Sequence, residues 1–284
     1  MKEKSEIGLV MKSLQADFFK IMGKGARDYV ALHPEIELVT VGTQSQVEVK
    51  QQIELVDELI ERNVDAIVLV PIDSDALVPP VVRAVRAGIK VVNIDIRLNP
   101  VMLARQKVQV AYIGPDNETA AYEAGQVLAS YLQQGNEVII IEGLKGAENA
   151  VQRKNGHMRA IREAGLTLVA SESANWETDK ASEVFSRLIA LHPKVKGVFC
   201  GNDAMALGVV NVLDFLYRDE IKVCGFDNDP SAQRLIKEGK QVSTIDIFSS
   251  QIAVEGIKCA VDLLTKGENI AGEVTTKYLL YKKS

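Results

Sequence analysis

Residues 64–77 read VDAIVLVPIDSDAL, and residues 195–207 read VKGVFCGNDAMAL. Each is a short β-branched run, a polar loop, an aspartate, and then Ala-Leu opening a helical pattern. A short apolar run without in/out alternation suits a parallel strand covered on both faces. The pattern then continues at nearly the same interval in both places. Asp73 is followed twenty-two residues later by Asp95 in VVNIDIR (91–97), and Asp203 twenty-four residues later by Asp227 in VCGFDND (223–229). Each half of the chain spells strand, Asp, helix, strand, Asp. Two similar α/β domains account for that better than chance recurrence of βα units.

Working outward, apolar runs bounded by turn residues predict strands at 7–11, 37–42, 66–70, 91–95 and 111–114, and again at 137–142, 166–171, 197–201, 222–226 and 241–245. Helical patterns fill the gaps at 18–32, 47–62, 77–87, 117–133, 152–163, 178–191, 204–216 and 230–238. Alternation of this kind implies parallel sheets with right-handed crossovers, so the expected fold class is α/β with two similar doubly wound, Rossmann-like domains. Ligands of open α/β sheets bind beyond the carboxyl ends of the strands. Two such sheets facing each other would gather their strand-end residues around one cleft.

The bulk composition excludes several functions. The chain has 284 residues, is 47% hydrophobic and 25% charged, and carries a net charge of −5, without a Lys/Arg-rich arm. A phosphate-tracking surface is not expected, so no nucleic-acid partner is. No apolar run reaches the length of a membrane span. Cys200, Cys224 and Cys259 lie singly in apolar stretches, which reads as three buried small hydrophobes and not as a disulfide or zinc framework.

Catalytic equipment is sparse. His33 and His192 both sit in LHP, a helix end before proline, and His157 falls within a helical pattern. No G-x-S-x-G, H-E-x-x-H, Walker loop or dinucleotide fingerprint is present, and MGKGARD (22–28) lies inside the first expected helix. No metal or cofactor is implied. What remains at the strand ends is carboxylates, amides, arginines and flat aromatic faces. Asp95, Asp227, Asn202 and Arg153 can exchange hydrogen bonds with adjacent hydroxyls, while Phe18, Phe19 and Trp176 can cover the C–H faces of a ring. That set suits a neutral polyhydroxylated ligand.

The segments IGLVMKSLQADFF, VPIDSDAL, VVNIDIR, IIIEGLKG, QRKNG, ANWETDKA, GNDAMALG and VCGFDNDP occur in order along nearly the whole chain. Together they resemble the ribose/allose branch of type I periplasmic sugar-binding proteins of ABC transporters, on its allose-binding side. The resemblance implies ligand contacts at Lys12, Phe18, Phe19, Asp95, Arg153, Trp176, Asn202 and Asp227. It also implies two lobes, residues 1–112 plus 248–277 and residues 113–247 plus 278–284, joined by a three-segment hinge that closes on the ligand. The implied partners are a sugar or short polyol and a membrane permease, with a chemoreceptor or sensor kinase as another possible reader of a monomeric protein. The implied location is periplasmic or otherwise extracytoplasmic, with the leader absent from this sequence.

Three positions depart from the family pattern: Ala16, Ile96 and Ile247 stand where relatives carry hydrogen-bonding side chains. A hydroxyl facing an isoleucine loses water without gaining a partner. The expectation is therefore a ligand less hydroxylated than allose, such as a deoxy or substituted pentose, a short polyol or a furanosyl compound, unless Arg97 or Asp246 turns inward and supplies the missing bonds. Two other readings use the same fold or residues. One is the effector domain of a LacI-type regulator, which would need a helix-turn-helix ahead of the first strand. The other is a sugar-acting enzyme with paired carboxylates.

Overall fold

The computed structural model describes residues 4–267 and 272–283. They form two compact units. The first comprises Met1–Pro115, Gly146–Glu148 and Phe248–Thr276, and the second Asp116–Lys145, Asn149–Ile247 and Lys277–Ser284. The chain thus changes unit after Pro115, after Ile247 and after Thr276, and the short segment 146–148 is grouped with the first unit.

The first unit runs β1 (Ser5–Met11), α1 (Asp17–Val30), β2 (Ile36–Gly42), α2 (Val49–Glu61), β3 (Ala66–Leu69), α3 (Val78–Arg86), β4 (Lys90–Ile94), α4 (Pro100–Arg105) and β5 (Ala111–Pro115). The second unit then runs α5 (Asn117–Ala129), β6 (Glu137–Glu142), α6 (Glu148–Glu163), β7 (Thr167–Ser173), α7 (Thr178–Leu191), β8 (Gly197–Cys200), α8 (Asp203–Leu216), β9 (Lys222–Cys224), α9 (Pro230–Glu238) and β10 (Ser243–Asp246). The chain finishes with α10 (Ser249–Lys266) and β11 (Glu273–Thr276) in the first unit and β12 (Leu279–Lys282) in the second.

The sheet of the first unit has the order β11-β5-β4-β3-β1-β2, and that of the second β12-β10-β9-β8-β6-β7. The strands pair in parallel except for β12, which runs antiparallel to β10. In each sheet the order reverses beside the first strand, β1 or β6, which leaves a crevice at the carboxyl ends there. The repeated sequence stretches fall on equivalent places, β3 into α3 and β8 into α8.

Parallel strands need both faces covered, and the residues show how this is met. All four residues of β3 and all four of β8 are buried. In the first unit, Ile67 and Leu69 join Val56 and Leu59 of α2 and Val81 of α3 in one apolar cluster. In the second, Ile140 and Phe199 pack with Leu128 of α5 and Ile161 of α6. Each such fully buried Leu, Ile or Phe contributes roughly 1.5–3 kcal/mol relative to exposure.

Four elements lie beyond the sequence-based expectation: α4, α10, β11 and β12. The buried residues of α10 are Ser249, Ile252, Ala253, Gly256, Ile257 and Ala260, a spacing of three and four that marks an amphipathic helix. Its start carries no such signal, because Phe248 at the N-cap has φ 54° and offers no capping side chain. The strands β11 and β12 are four residues each; β11 is largely exposed and has no apolar run, and β12 is a short Leu-Leu-Tyr stretch near the end of the sequence, half exposed. Cys200 and Cys224 are buried as expected, whereas Cys259 is only half-buried.

Candidate functional site

In the first unit, the expected residues stand at the carboxyl ends of β1 and β4. Lys12 follows β1 directly and is buried, with its Nζ 5.7 Å from the centre of the Phe19 ring. Phe18 and Phe19 open α1, and their rings meet edge to face at 5.0 Å and 84°. The helix start is built without help from Ala16, whose methyl cannot cap. Ser13 Oγ instead accepts from the N–H groups of Gln15 (3.0 Å) and Ala16 (3.3 Å).

Asp95 ends β4 in the left-handed region, at φ 64°, a conformation that aspartate tolerates better than most residues. Its N–H donates to Ile113 O at 2.9 Å, and its carbonyl accepts from Tyr112 Oη at 2.9 Å. Asn93 pins the rest of the turn. Its Nδ2 donates to Ile96 O (2.7 Å) and Leu69 O (3.3 Å), and its Oδ1 accepts from Leu98 N (2.8 Å). Ile96 is fully buried. Arg97 is placed elsewhere: it pairs with Glu273 of the edge strand β11, and its guanidinium carbon lies 5.7 Å from the centre of the Tyr112 ring.

In the second unit, a guanidinium organises the strand ends. Arg153 of α6 is buried, donating through Nε to Asn117 Oδ1 (3.0 Å) and through Nη1 to Gly201 O (2.9 Å) and Asp227 Oδ1 (3.2 Å). Its carbon lies 3.6 Å from the centre of the Phe226 ring and 5.4 Å from that of Trp176. Stacking suits a planar, weakly hydrated cation taken out of water.

Asp227 repeats a backbone hydrogen bond of Asp95 in the other unit, also at positive φ. It lies just beyond β9 with φ 106°, and its N–H donates to Ile245 O at 2.8 Å, as Asp95 does to Ile113. The internal repeat thus extends to single hydrogen bonds. Asn202 caps α8 by accepting from Met205 N at 2.9 Å, and its Nδ2 reaches Trp176 O at 3.4 Å. Trp176 is buried at φ 70°, directly after Asn175 at φ 56°. Only glycine fits beneath its indole: a Cβ on Gly143 would lie 2.1 Å from the ring. Asp246 closes β10 and accepts from Asn228 Nδ2 at 3.0 Å, and Ile247 beside it is fully buried.

The structure therefore brings Arg153, Trp176, Asn202 and Asp227 into one connected cluster in the second unit. It sets Lys12, Phe18, Phe19 and Asp95 at the strand ends of the first. Asn93, Asn117, Gly143 and Phe226 were not among the sequence candidates. Asn93 and Phe226 lie within two residues of the strand-end aspartates, which is a usable signal; Asn117 and Gly143 act across long sequence gaps and carry none. Nearby His157 of α6 is wholly buried with its ring 5.5 Å from Phe199, and neither ring nitrogen has a partner among the described residues. Burial, and then the charge of Arg153, lower its pKa to about 3.

Comparison with known proteins matches this arrangement to one family over most of its length. The periplasmic binding protein domain matches residues 7–269. The D-ribose/D-allose-binding protein of Pseudomonas aeruginosa is 42% identical over 264 residues, covering 92% of this chain and 83% of that protein. The D-allose-binding periplasmic protein of Escherichia coli is 30% identical, covering 94% and 86%. Among solved structures, an ABC transporter solute-binding protein from Burkholderia multivorans superposes with a TM-score of 0.96 at 37% identity, covering 98% of this chain and 99% of that one. The chain belongs to the periplasmic binding protein domain family.

Proposed function

We propose that the protein is an extracytoplasmic solute-binding protein that captures a monosaccharide-like ligand and delivers it to an ABC transporter. The observation that carries this reading is the cluster of Arg153, Asp227, Asn202 and Trp176, each held by buried partners at the strand ends of the second unit. Such a cluster offers charged and amide hydrogen-bonding groups beside an indole, which is what a hydroxylated ring requires. Relatives support the sugar class. The Pseudomonas aeruginosa protein is named for D-ribose and D-allose, and a protein from Actinobacillus succinogenes, 31% identical, was solved with bound D-allose. The Burkholderia multivorans structure holds an unknown ligand described as alpha-D-erythrofuranose.

Lys12, Phe18, Phe19 and Asp95 are the ligand contacts that the first unit offers, and a change of conformation on binding reports capture. The ligand is less hydroxylated than D-allose, a deoxy or substituted pentose, a short polyol or a furanosyl compound, with Ala16, Ile96 and Ile247 offering no side-chain hydrogen bonds. The protein acts as a monomeric binder and not as an enzyme, and a permease reads the loaded state in preference to a chemoreceptor or sensor kinase. Among the described residues, no helix is long and apolar enough to cross a membrane.

The test is a calorimetric and thermal-shift panel of D-ribose, D-allose, D-erythrose, 2-deoxy-D-ribose and xylitol, with turnover of each assayed in parallel. Saturable binding of at least one sugar without turnover is expected. D-Allose binding more tightly than every smaller or deoxy sugar would remove the hydroxylation argument, and no binding across the panel would remove the reading itself.

A further inference from the structure

Asp203, the first residue of α8, is wholly buried, and its hydrogen bonds run to the turn after β9 and to Gln241 and Thr244 around the start of β10. Its Oδ2 accepts from Asp229 N (3.1 Å) and from Thr244 Oγ1 (2.7 Å), and its Oδ1 accepts from Gln241 Nε2 (2.8 Å). Its own N–H donates to Phe226 O at 2.8 Å. Thr244 Oγ1, held by Asp203, in turn accepts from Asn228 N at 3.1 Å. The turn 226–229 is therefore tied to Asp203 at its start through the backbone N–H, and to the Asp203 carboxylate at its end and, through Thr244, in its middle.

That turn needs holding. Asp227 (φ 106°) and Asn228 (φ 55°) are successive non-glycine residues with positive φ. Such residues persist only where surrounding contacts over-determine them. The residue before the turn makes room for the carboxylate: a Cβ on Gly225 would lie 2.0 Å from Asp203 Oδ1 and 2.7 Å from Gln241 Nε2. A buried carboxylate is expensive, and burial followed by the nearby Asp227 charge pushes the Asp203 pKa up, against the pull of its three donors. A hydrophobic residue would serve a purely structural site at less cost.

The repeat supplies an internal comparison. Asp73 holds the equivalent place in the first unit, yet it is only half-buried, and its Oδ1 accepts from Asp75 N and Ala76 N of its own loop. The strand-end turn of that unit is pinned by Asn93 instead. Among the described residues, the tie between this aspartate and the strand-end turn is seen in the second unit and not at Asp73.

We propose that Asp203 is a positioning residue for ligand recognition: it sets the backbone of 226–229 and so aims the Asp227 carboxylate. This rests on the sugar-binding reading above. Asp203 also follows directly on Asn202, another of the contacts that the reading assigns to the ligand.

The experiment compares wild type with Asp203→Ala, Asp203→Asn and a core control, Val242→Ala, which lies in the apolar cluster and touches none of these hydrogen bonds. Two readouts are taken: the Kd for D-ribose and D-allose, and deuterium exchange of the peptide covering 225–230. Asp203→Ala is expected to weaken binding by about tenfold or more and to raise exchange in that peptide. Asp203→Asn is expected to recover most of both, because its amide oxygen still accepts from Asp229 and Thr244. Val242→Ala is expected to lower the Tm while leaving Kd within about twofold. Wild-type exchange over 225–230 in folded Asp203→Ala, or wild-type affinity there, overturns the proposal. If wild type binds no sugar of the panel above, the functional reading loses its support, and the exchange comparison still decides whether Asp203 sets the turn.

Discussion

Arg153 donates through one nitrogen, Nη1, to Asp227 Oδ1 at 3.2 Å and to Gly201 O at 2.9 Å. Both side chains of the pair are buried, at 3% and 8% exposure. Removing one member of a buried pair strands the other charge, which costs about 3–5 kcal/mol. Arg153→Ala is therefore expected to lose stability on that scale in urea unfolding and to lose sugar binding as well. Arg153→Lys retains the charge but not the fork or the stack on Phe226, and is expected to recover only part of either. An Arg153→Ala variant within about 1 kcal/mol of wild type would show that the pair is dispensable.

His157 supplies a pH dependence with a definite sign. Its folded pKa of about 3 lies below the ordinary 6.5, so between those values the unfolded chain binds the extra proton and the folded chain does not. Stability is then fully present above about pH 6.5 and falls as pH drops, by at most roughly 1.4 kcal/mol per unit from this group. His157→Phe fills the same apolar space beside Phe199 and is expected to flatten the slope between pH 6.5 and 5. Urea unfolding at three pH values checks it, and an unchanged slope in the variant would assign the acid sensitivity to other groups.

Trp176 is the sole tryptophan of the chain, so its fluorescence reports on the site alone. A Cβ at position 143 would lie 2.1 Å from the indole. Gly143→Ala is expected to displace the ring, at about 1–3 kcal/mol of overpacking strain, and to shift the emission maximum. Sugar binding should weaken in the same variant. An unshifted spectrum with wild-type affinity would mean that the indole plays no part in recognition.

Asn93 satisfies a buried carbonyl and a buried N–H of the turn after Asp95. Asn93→Ala leaves Ile96 O and Leu98 N without these partners, at a cost of about 1–3 kcal/mol. The expected readouts are a lower Tm and weaker sugar binding, with Asn93→Asp recovering the Leu98 bond only. Unaltered binding in a folded Asn93→Ala protein would separate this turn from the site.

The sequence exposed the strand-end aspartates because their signal is local: a β-branched run stops, and a carboxylate follows. Twofold recurrence at a similar interval then pointed to paired domains. Residues whose work is tertiary left no such mark. Asn93 reads as one more residue in VVNIDIR until its bonds to 96 and 98 are seen, and Gly143 until the indole from position 176 arrives over it. Arg97 shows a tertiary partner that the sequence does not announce: it pairs with Glu273 of β11, an edge strand without an apolar run. Helix α10 carries an amphipathic spacing, but its start at Phe248, without a capping side chain, gives no signal, and the sequence-based expectation omits it.

The central claim is that the strand-end aspartates Asp95 and Asp227 are required for sugar recognition. Calorimetric titration of wild type, Asp95→Ala and Asp227→Ala with D-ribose and D-allose tests it most directly. The account predicts saturable binding by wild type and a loss of about a hundredfold or more in each variant, as expected for two charge-assisted hydrogen bonds. Wild-type affinity in either variant, while it remains folded, would contradict it.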